Sequence, residues 1–186
     1  MIVAITGMPG SGKTTAAEIL KKKGFEMLEL SEPLKQLMEK KGMPLNTVNM
    51  EKFADKILRE KGRNIVSKLA IPYIRKMKGD IVLSGVRRME DVQMIRSALK
   101  TKVYLIAVTV PPRIRYERIR HRRGKENIKV RNYKEFLWRD AHNKRLGVLN
   151  TLEHADFIIS NSGSRAELGR SLSKTIALIR NTKALS

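Results

Sequence analysis

The stretch Gly7-Met8-Pro9-Gly10-Ser11-Gly12-Lys13-Thr14 follows directly on the apolar run Ile2-Val3-Ala4-Ile5 and spells G-x-x-x-x-G-K-T, the P-loop pattern. The pattern has physical content only where a short buried strand feeds a glycine-rich turn and then a helix, and the sequence predicts that context here. Glycines let successive backbone N–H groups turn inward around an anion. The N-terminus of the following helix adds its partial positive charge. Lys13 has the reach for β- and γ-phosphates, and the Thr14 hydroxyl is a ligand type suited to Mg²⁺. Gly7 through Thr14, together with Thr15, are therefore the candidate nucleotide-binding residues. The competing reading is a glycine-rich turn with no ligand, and the flanking strand and helix weigh against it.

Working outward, the 186 residues suffice for one domain with a sizeable core, and 41% of them are hydrophobic. No apolar run approaches the ~20 residues of a membrane span. The N-terminal apolar run is too short for a secretory signal and merges into the glycine loop, so a cytoplasmic location is expected. There are no cysteines, which excludes disulfides and thiolate metal sites. His121, His142 and His154 lack metal-ligand spacing. The net charge is +21. Such charge favours polyanionic partners, namely nucleotides, RNA or anionic surfaces. It is equally compatible with solvated Lys/Arg-rich helix faces.

Apolar and amphipathic segments alternate along the chain, which argues an α/β fold with a parallel sheet. The short runs Ile2–Thr6, Glu26–Leu30, Asp80–Leu83, Val103–Val110 and Phe157–Ser160 read as strands covered on both faces. Helices are predicted over Lys13–Lys23, Pro33–Lys41, Met50–Lys61, Arg63–Lys78, Met89–Leu99, Arg113–Arg122, Tyr133–Lys144 and Arg165–Asn181. Pro72 should kink or split the fourth of these. Two stretches read as insertions into a single domain: the helical block 31–78 and the basic segment 120–138. Ligands of such folds gather at the carboxyl ends of the strands, where both insertions begin.

Phosphoryl transfer is mostly positioning and charge stabilisation, so arginines carry more of the argument than a nucleophile would. Arg87 and Arg88 follow the third strand. Arg118 and Arg122 are spaced i, i+4 on one helix face, which Arg115 extends. Arg139 lies beside Asp140 after the basic segment, while Lys35 and Arg59 fall in the helical block. A guanidinium fork suits bidentate phosphate binding. With 39 basic residues, most are solvated surface charges.

These residues resemble the nucleoside-monophosphate kinase group, and most closely an archaeal family of adenylate-kinase-related P-loop proteins that are also relatives of dephospho-coenzyme A kinases. The resemblance spans nearly the whole chain. It rests on Gly7–Thr14, Ser31-Glu32-Pro33-Leu34-Lys35, Leu58-Arg59-Glu60, Ser84-Gly85-Val86-Arg87, Arg139-Asp140 and the segment Ala155 to Gly163. It implies a P-loop NTPase three-layer αβα fold with a five-stranded parallel sheet, an acceptor-binding insertion at 31–78 and a short lid at 120–138. It implies ATP and Mg²⁺ as cofactors, with Thr14 and Ser84 at the metal. It implies catalytic roles for Lys13, Arg87, Arg118, Arg122 and Arg139, with Arg118 and Arg122 belonging to the lid. It places Ser31, Glu32, Lys35, Arg59 and Arg87 at the acceptor, and Asn161 and Gly163 near the adenine.

Two positions depart from the family pattern. Ser84 stands where relatives carry an aspartate that holds Mg²⁺ through water, so a negative charge is missing. Lys35 stands where relatives tend to carry arginine and lacks the bidentate fork. ATP-dependent phosphoryl transfer to a nucleoside monophosphate or similar phosphate-bearing acceptor is the leading expectation. A hydroxyl acceptor would need a general base, for which Glu32 or Glu29 is placed. A different class, a nucleotide-dependent RNA- or ribosome-binding module, is suggested by the net charge and the basic run Arg113–Arg131. The nearby Tyr116, Tyr133, Phe136 and Trp138 read as helix-packing residues rather than a base-stacking platform.

Overall fold

A computed structural model describes residues 1–121 and 130–184. Five strands, β1 (Ile2–Thr6), β2 (Glu26–Glu29), β3 (Ile81–Val86), β4 (Val103–Thr109) and β5 (Phe157–Ser160), form one all-parallel sheet in the order β2-β3-β1-β4-β5. The glycine loop therefore leaves from the central strand. β1 is buried at every position, as its uninterrupted apolar run requires.

Side chains alternate across the sheet and divide the core in two. Val3 and Ile5 of β1 face α1 (Lys13–Lys22) and α9 (Arg165–Ala184), packing on Ala16, Leu20, Leu172 and Ile176. Ile2 and Ala4 face the other way, onto α4 (Ile65–Ile74) and α5 (Met89–Leu99), through Ala70, Ile74, Val92 and Ile95. The result is the expected three-layer αβα arrangement. Beside it, α2 (Glu32–Lys40), α3 (Thr47–Lys61) and α4 share a small core of their own built on Leu34, Met38, Phe53, Ile57 and Ile65. This is the helical block read from residues 31–78. The remaining helices are α6 (Pro112–Arg120), α7 (Tyr133–Arg145) and α8 (Val148–Glu153).

Differences from the sequence reading have local causes. β3 runs on to Val86, past the expected end at Leu83. Pairing with β1 slips one residue between Ala4 and Thr6, and Gly85 takes up the slip at φ 80. That left-handed conformation needs a glycine inside the strand, where glycine reads as a stop. α3 starts at Thr47 because the Asn46 side chain accepts the Asn49 N–H at 2.8 Å. Pro72 lies within α4 and does not split it, and the helix ends at Ile74 rather than at Lys78. α8 is too short for its periodicity to be read.

Candidate functional site

The loop from Gly7 to Gly12 turns tightly, with the Ser11 N–H donating to the Met8 carbonyl at 3.1 Å. Gly12 caps α1 in the left-handed region at φ 96, and a Cβ there would run into the Asn161 amide. No side chain caps α1, and its first turn holds no acid, so the helix end keeps its capacity for an anion. The Lys13 ammonium donates to the carbonyls of Gly7 (2.7 Å) and Met8 (3.1 Å), which holds it over the loop. The Ser11 hydroxyl is buried and makes no hydrogen bond among the described residues. A bent backbone, an uncapped helix start, a poised ammonium and an orphaned hydroxyl together fit a polyphosphate. Thr14 lies in the first turn of α1, half-buried, and Thr15 follows it.

Other elements clamp this loop. Asn161, just after β5, donates its amide to the Ser11 carbonyl at 2.8 Å. Its own carbonyl accepts from Arg118 at 2.8 Å. Arg118 therefore stands on α6 beside the Asn161 loop. Gly163 lies over the capping box of α9, in which Ser164 and Glu167 bond each other's N–H groups at 3.2 and 2.7 Å. Those bonds hold the Glu167 carboxyl below the usual range. The buried Arg115 donates to the Pro9 carbonyl, to the Val110 carbonyl and, through two prongs, to Asp140. Arg115 thus packs inward and does not extend the exposed face of Arg118. The segment Arg139-Asp140 reaches the loop through Asp140, whereas Arg139 pairs with Glu135 at 2.7 Å. Arg122, with residues 123–129 of the expected lid, lies outside the described residues.

At the carboxyl end of β3, Ser84 is 3% exposed and pairs in register with Glu29 of β2. The Glu29 side chain also lies against Gly85. A carboxylate thus stands one strand away from the hydroxyl at position 84. Among the described residues no group of three or more His, Asp and Glu side chains is placed to hold a metal, so the protein's donors there are neutral hydroxyls and this one neighbouring acid. Glu29 accepts from Ser31 (2.6 Å) and Lys35 (3.4 Å), and Lys35 also bonds Glu32 at 3.1 Å. Burial tends to lower the Lys35 pKa, but the two carboxylates outweigh it and hold the ammonium above its ordinary value. Ser31, Glu32 and Lys35 are therefore brought together, with Lys35 committed to two acids. Arg87 is exposed, and its guanidinium has no protein partner among the described residues; its backbone carbonyl accepts from Thr151 of α8 at 3.0 Å. Arg59 lies on α3, apart from Lys35, and donates to the Asp55 carbonyl at 3.2 Å.

Sequence reasoning missed the Arg115–Asp140 pair as a support of the loop, and it missed α8 altogether. An Arg and an Asp twenty-five positions apart on two helices carry no periodic signal that pairs them. Tyr116, Tyr133 and Phe136 do pack on one another, with ring centres 5.2 to 5.7 Å apart. Trp138 instead stands 63% exposed, stacked on His142.

A central P-loop in a sheet of this order, followed by a helical block after β2, defines a P-loop kinase-like protein of the three-layer αβα class. The likeness extends to known proteins. A profile of the AAA domain matches residues 3–138. A UPF0200 protein of Pyrococcus horikoshii is 32% identical over 96% of this chain and 97% of its own length. One from Thermococcus kodakarensis is 33% identical over 95% and 96%. The chain belongs to the UPF0200 family. Among solved structures, TT1252 from Thermus thermophilus superimposes with a TM-score of 0.68 at 21% identity, covering 95% of this chain and 96% of that one. A shikimate kinase from Bacteroides thetaiotaomicron gives 0.65 at 13% identity, covering 97% and 98%. These last two share the fold. No helix among the described residues is long and apolar enough to cross a membrane.

Proposed function

We propose that this protein transfers the γ-phosphoryl group of Mg²⁺-ATP to a small phosphate-bearing acceptor of the nucleoside-monophosphate class. The observation that carries the reading is the loop itself: Lys13 held over a glycine bend whose buried Ser11 hydroxyl has no partner among the described residues. Bound ATP supplies the transferable phosphoryl group. Lys13 exchanges its two loop carbonyls for phosphate oxygens, and the α1 N-terminus faces the same charge. Thr14 and Ser84 would hold Mg²⁺, which would neutralise charge building on the phosphates. An acceptor phosphate oxygen, already ionised, attacks the γ-phosphorus as the bond to the bridging oxygen breaks, so ADP leaves and no general base is required. Arg118 and Asn161 hold the loop and the adenine side together, and Arg87 is available to the acceptor.

A second reading is favoured by Glu29. Its side chain stem lies against Gly85 at the end of β3, and its carboxylate, which accepts from Ser31 and Lys35, could take the proton of a hydroxyl acceptor. One assay separates the two. ATP turnover is followed with nucleoside monophosphates and with dephospho-coenzyme A, in the native protein and in Glu29→Gln. Turnover on a monophosphate that survives Glu29→Gln supports the first reading, and turnover on a hydroxyl acceptor that is lost in it supports the second. No phosphoryl transfer to any of these acceptors would sink both.

A further inference from the structure

Helix α7 turns one side to the core and leaves an aromatic on the other. Phe136 is 1% exposed, and Asp140, one turn further on, is buried against Arg115. Trp138 is 63% exposed and stands about 200° round the helix axis from each, at ~100° per residue. Lys134, Ala141 and Arg145 fall on the same outer side. The stripe from Lys134 to Arg145 is about 16 Å long, with a cation at each end and the indole between them. Leu137 borders it and is also exposed. Indole carries a large apolar surface, so one left in solvent is the informative exception to burial.

The indole is held in place. The His142 ring lies 6.2 Å from it, centre to centre, and within 13° of parallel. Such an offset stack fixes the plane of the larger ring. The surrounding charge is of one sign. From Val130 to Leu152 the acids are Glu135 and Asp140. Asp140 is buried with Arg115, and Glu135 is shared by Arg131 and Arg139. Lys134, Lys144 and Arg145 are exposed and have no ion pair among the described residues. Arg145 also lines a cavity of about 430 Å³ with Arg59, Arg63 and Arg88, which carries the positive surface past the helix end.

Charge decides what covers this face. A second copy of the chain would set cation against cation in a protein of net charge +21. A bilayer would take a longer apolar stripe than Leu137, Trp138 and Ala141 offer, and the apolar side of α7 is already packed through Phe136 on Ile119 and Val130. Unpaired nucleotides match every part of the stripe. Any base has a face to lay on an indole, and the phosphates on either side of it meet the cations. Loops and ends of RNA expose such bases, whereas a duplex keeps them inside its own stack.

We propose that the outer face of α7 binds single-stranded RNA, with an unpaired base stacked on Trp138 and the flanking phosphates held by Lys134 and Arg145. The contact is separate from phosphoryl transfer. Asp140 reaches the P-loop through Arg115 from the opposite side of the helix, so the stacking surface and the loop face different ways. Trp138, which reads in the sequence as a packing residue, is in the fold the surface a base would lie on.

Trp138 is the sole tryptophan of the chain, so its emission reads this surface directly. The test titrates the full chain with an oligouridylate of about 12 nucleotides, within the site sizes of single-strand binders. The same strand annealed to its complement and the matching deoxy strand serve as comparisons. The single strand is expected to quench Trp138. Binding followed by anisotropy should weaken about tenfold in Trp138→Ala and recover most of that in Trp138→Phe. Lys134→Gln should flatten the slope of log affinity against log salt by about 0.7, the share of one phosphate contact. Lys13→Ala should leave RNA affinity within about twofold, and Trp138→Ala should leave ATP affinity within the same range. Both outer-face side chains are exposed, so these variants should melt with the native protein. Emission untouched by the single strand, affinity unchanged in Trp138→Ala, or equal quenching by the duplex overturns the proposal. Loss of RNA binding in Lys13→Ala overturns it too, by moving the contact to the P-loop. So does about tenfold tighter binding of the deoxy strand, or emission that answers to phosphatidylserine vesicles or to protein concentration and not to RNA.

Discussion

Arg115 meets Asp140 with both terminal nitrogens, at 2.5 and 2.8 Å, and the nitrogen nearer Pro9 also donates to that loop carbonyl at 3.2 Å. Both side chains are nearly inaccessible. The pair joins α6, α7 and the P-loop into one support, and the Phe136 ring stacks beneath the guanidinium at 5.1 Å. Removing one partner strands the other's charge in the interior. Arg115→Leu should therefore destabilise the protein by about 3–5 kcal/mol in urea unfolding. Replacing both residues by apolar ones should cost less than Arg115→Leu does, because no uncompensated charge remains. A loss below 1 kcal/mol for the single variant would show that the pair is not holding α6 to α7.

The Asn161 amide reaches the Ser11 carbonyl in a buried contact. Asn161→Ala should leave that carbonyl without a donor, a loss of about 1–3 kcal/mol at a buried acceptor. Part of this loss should appear as weaker ATP binding, by about tenfold, since the loop it shapes is the proposed phosphate cradle. Gly12→Ala should do more, because it combines a clash with Asn161 and a strained φ of 96. Calorimetric ATP affinity beside thermal melts measures both effects. Unchanged affinity in both variants would remove the loop from nucleotide binding.

The contrast between these contacts and the P-loop pattern shows what the sequence could convey. Gly7 to Thr14 was legible because its chemistry is encoded in consecutive residues, and the strands because each is a short apolar run. Ser84 and Glu29 were each visible, but their register pairing across β2 and β3 was not. Arg88 and Arg145 share a cavity only after α7 folds back against α3 and α5, so no local spacing announces them. Lys35 reads as a single cation in the sequence, and the turn after β2 sets Glu29 and Glu32 on it. Local signals carried the fold, and long-range packing decided which charges remained available.

Asp91 gives the protein a defined response to pH. The residue is 4% exposed, and one carboxyl oxygen has no partner among the described residues. Burial raises its pKa above the ordinary carboxylate value, against the opposing pull of Ser67 and Arg88. The folded state then binds this proton more tightly than the unfolded chain does. This group's contribution to stability falls as pH rises from the unfolded value near 3.8 through the folded one, and the penalty persists at neutral pH. Asp91→Asn removes that titration. The stability of Asp91→Asn relative to the native protein should be greatest at neutral pH and should shrink on acidification through that window. Urea unfolding at a series of pH values measures the difference, and a difference that does not vary with pH would mean that burial does not raise this carboxyl's pKa.

Ser84 tests the metal side of the site. Ser84 is buried in register with Glu29 of the neighbouring strand, and its hydroxyl adds no charge of its own. Ser84→Asp would place a second carboxylate beside Glu29, and two acids so close disfavour each other's ionised form. Without divalent cation the variant should melt below the native protein. Mg²⁺ should restore it, since a ligand at a hundred times its dissociation constant stabilises the folded state by about 2.7 kcal/mol. The native protein, with a hydroxyl at this position, should respond less. Thermal melts across a Mg²⁺ titration, with ATP absent, read this directly. A Ser84→Asp protein whose melting is indifferent to Mg²⁺ would place the metal away from β3 and leave Thr14 without a partner on that strand.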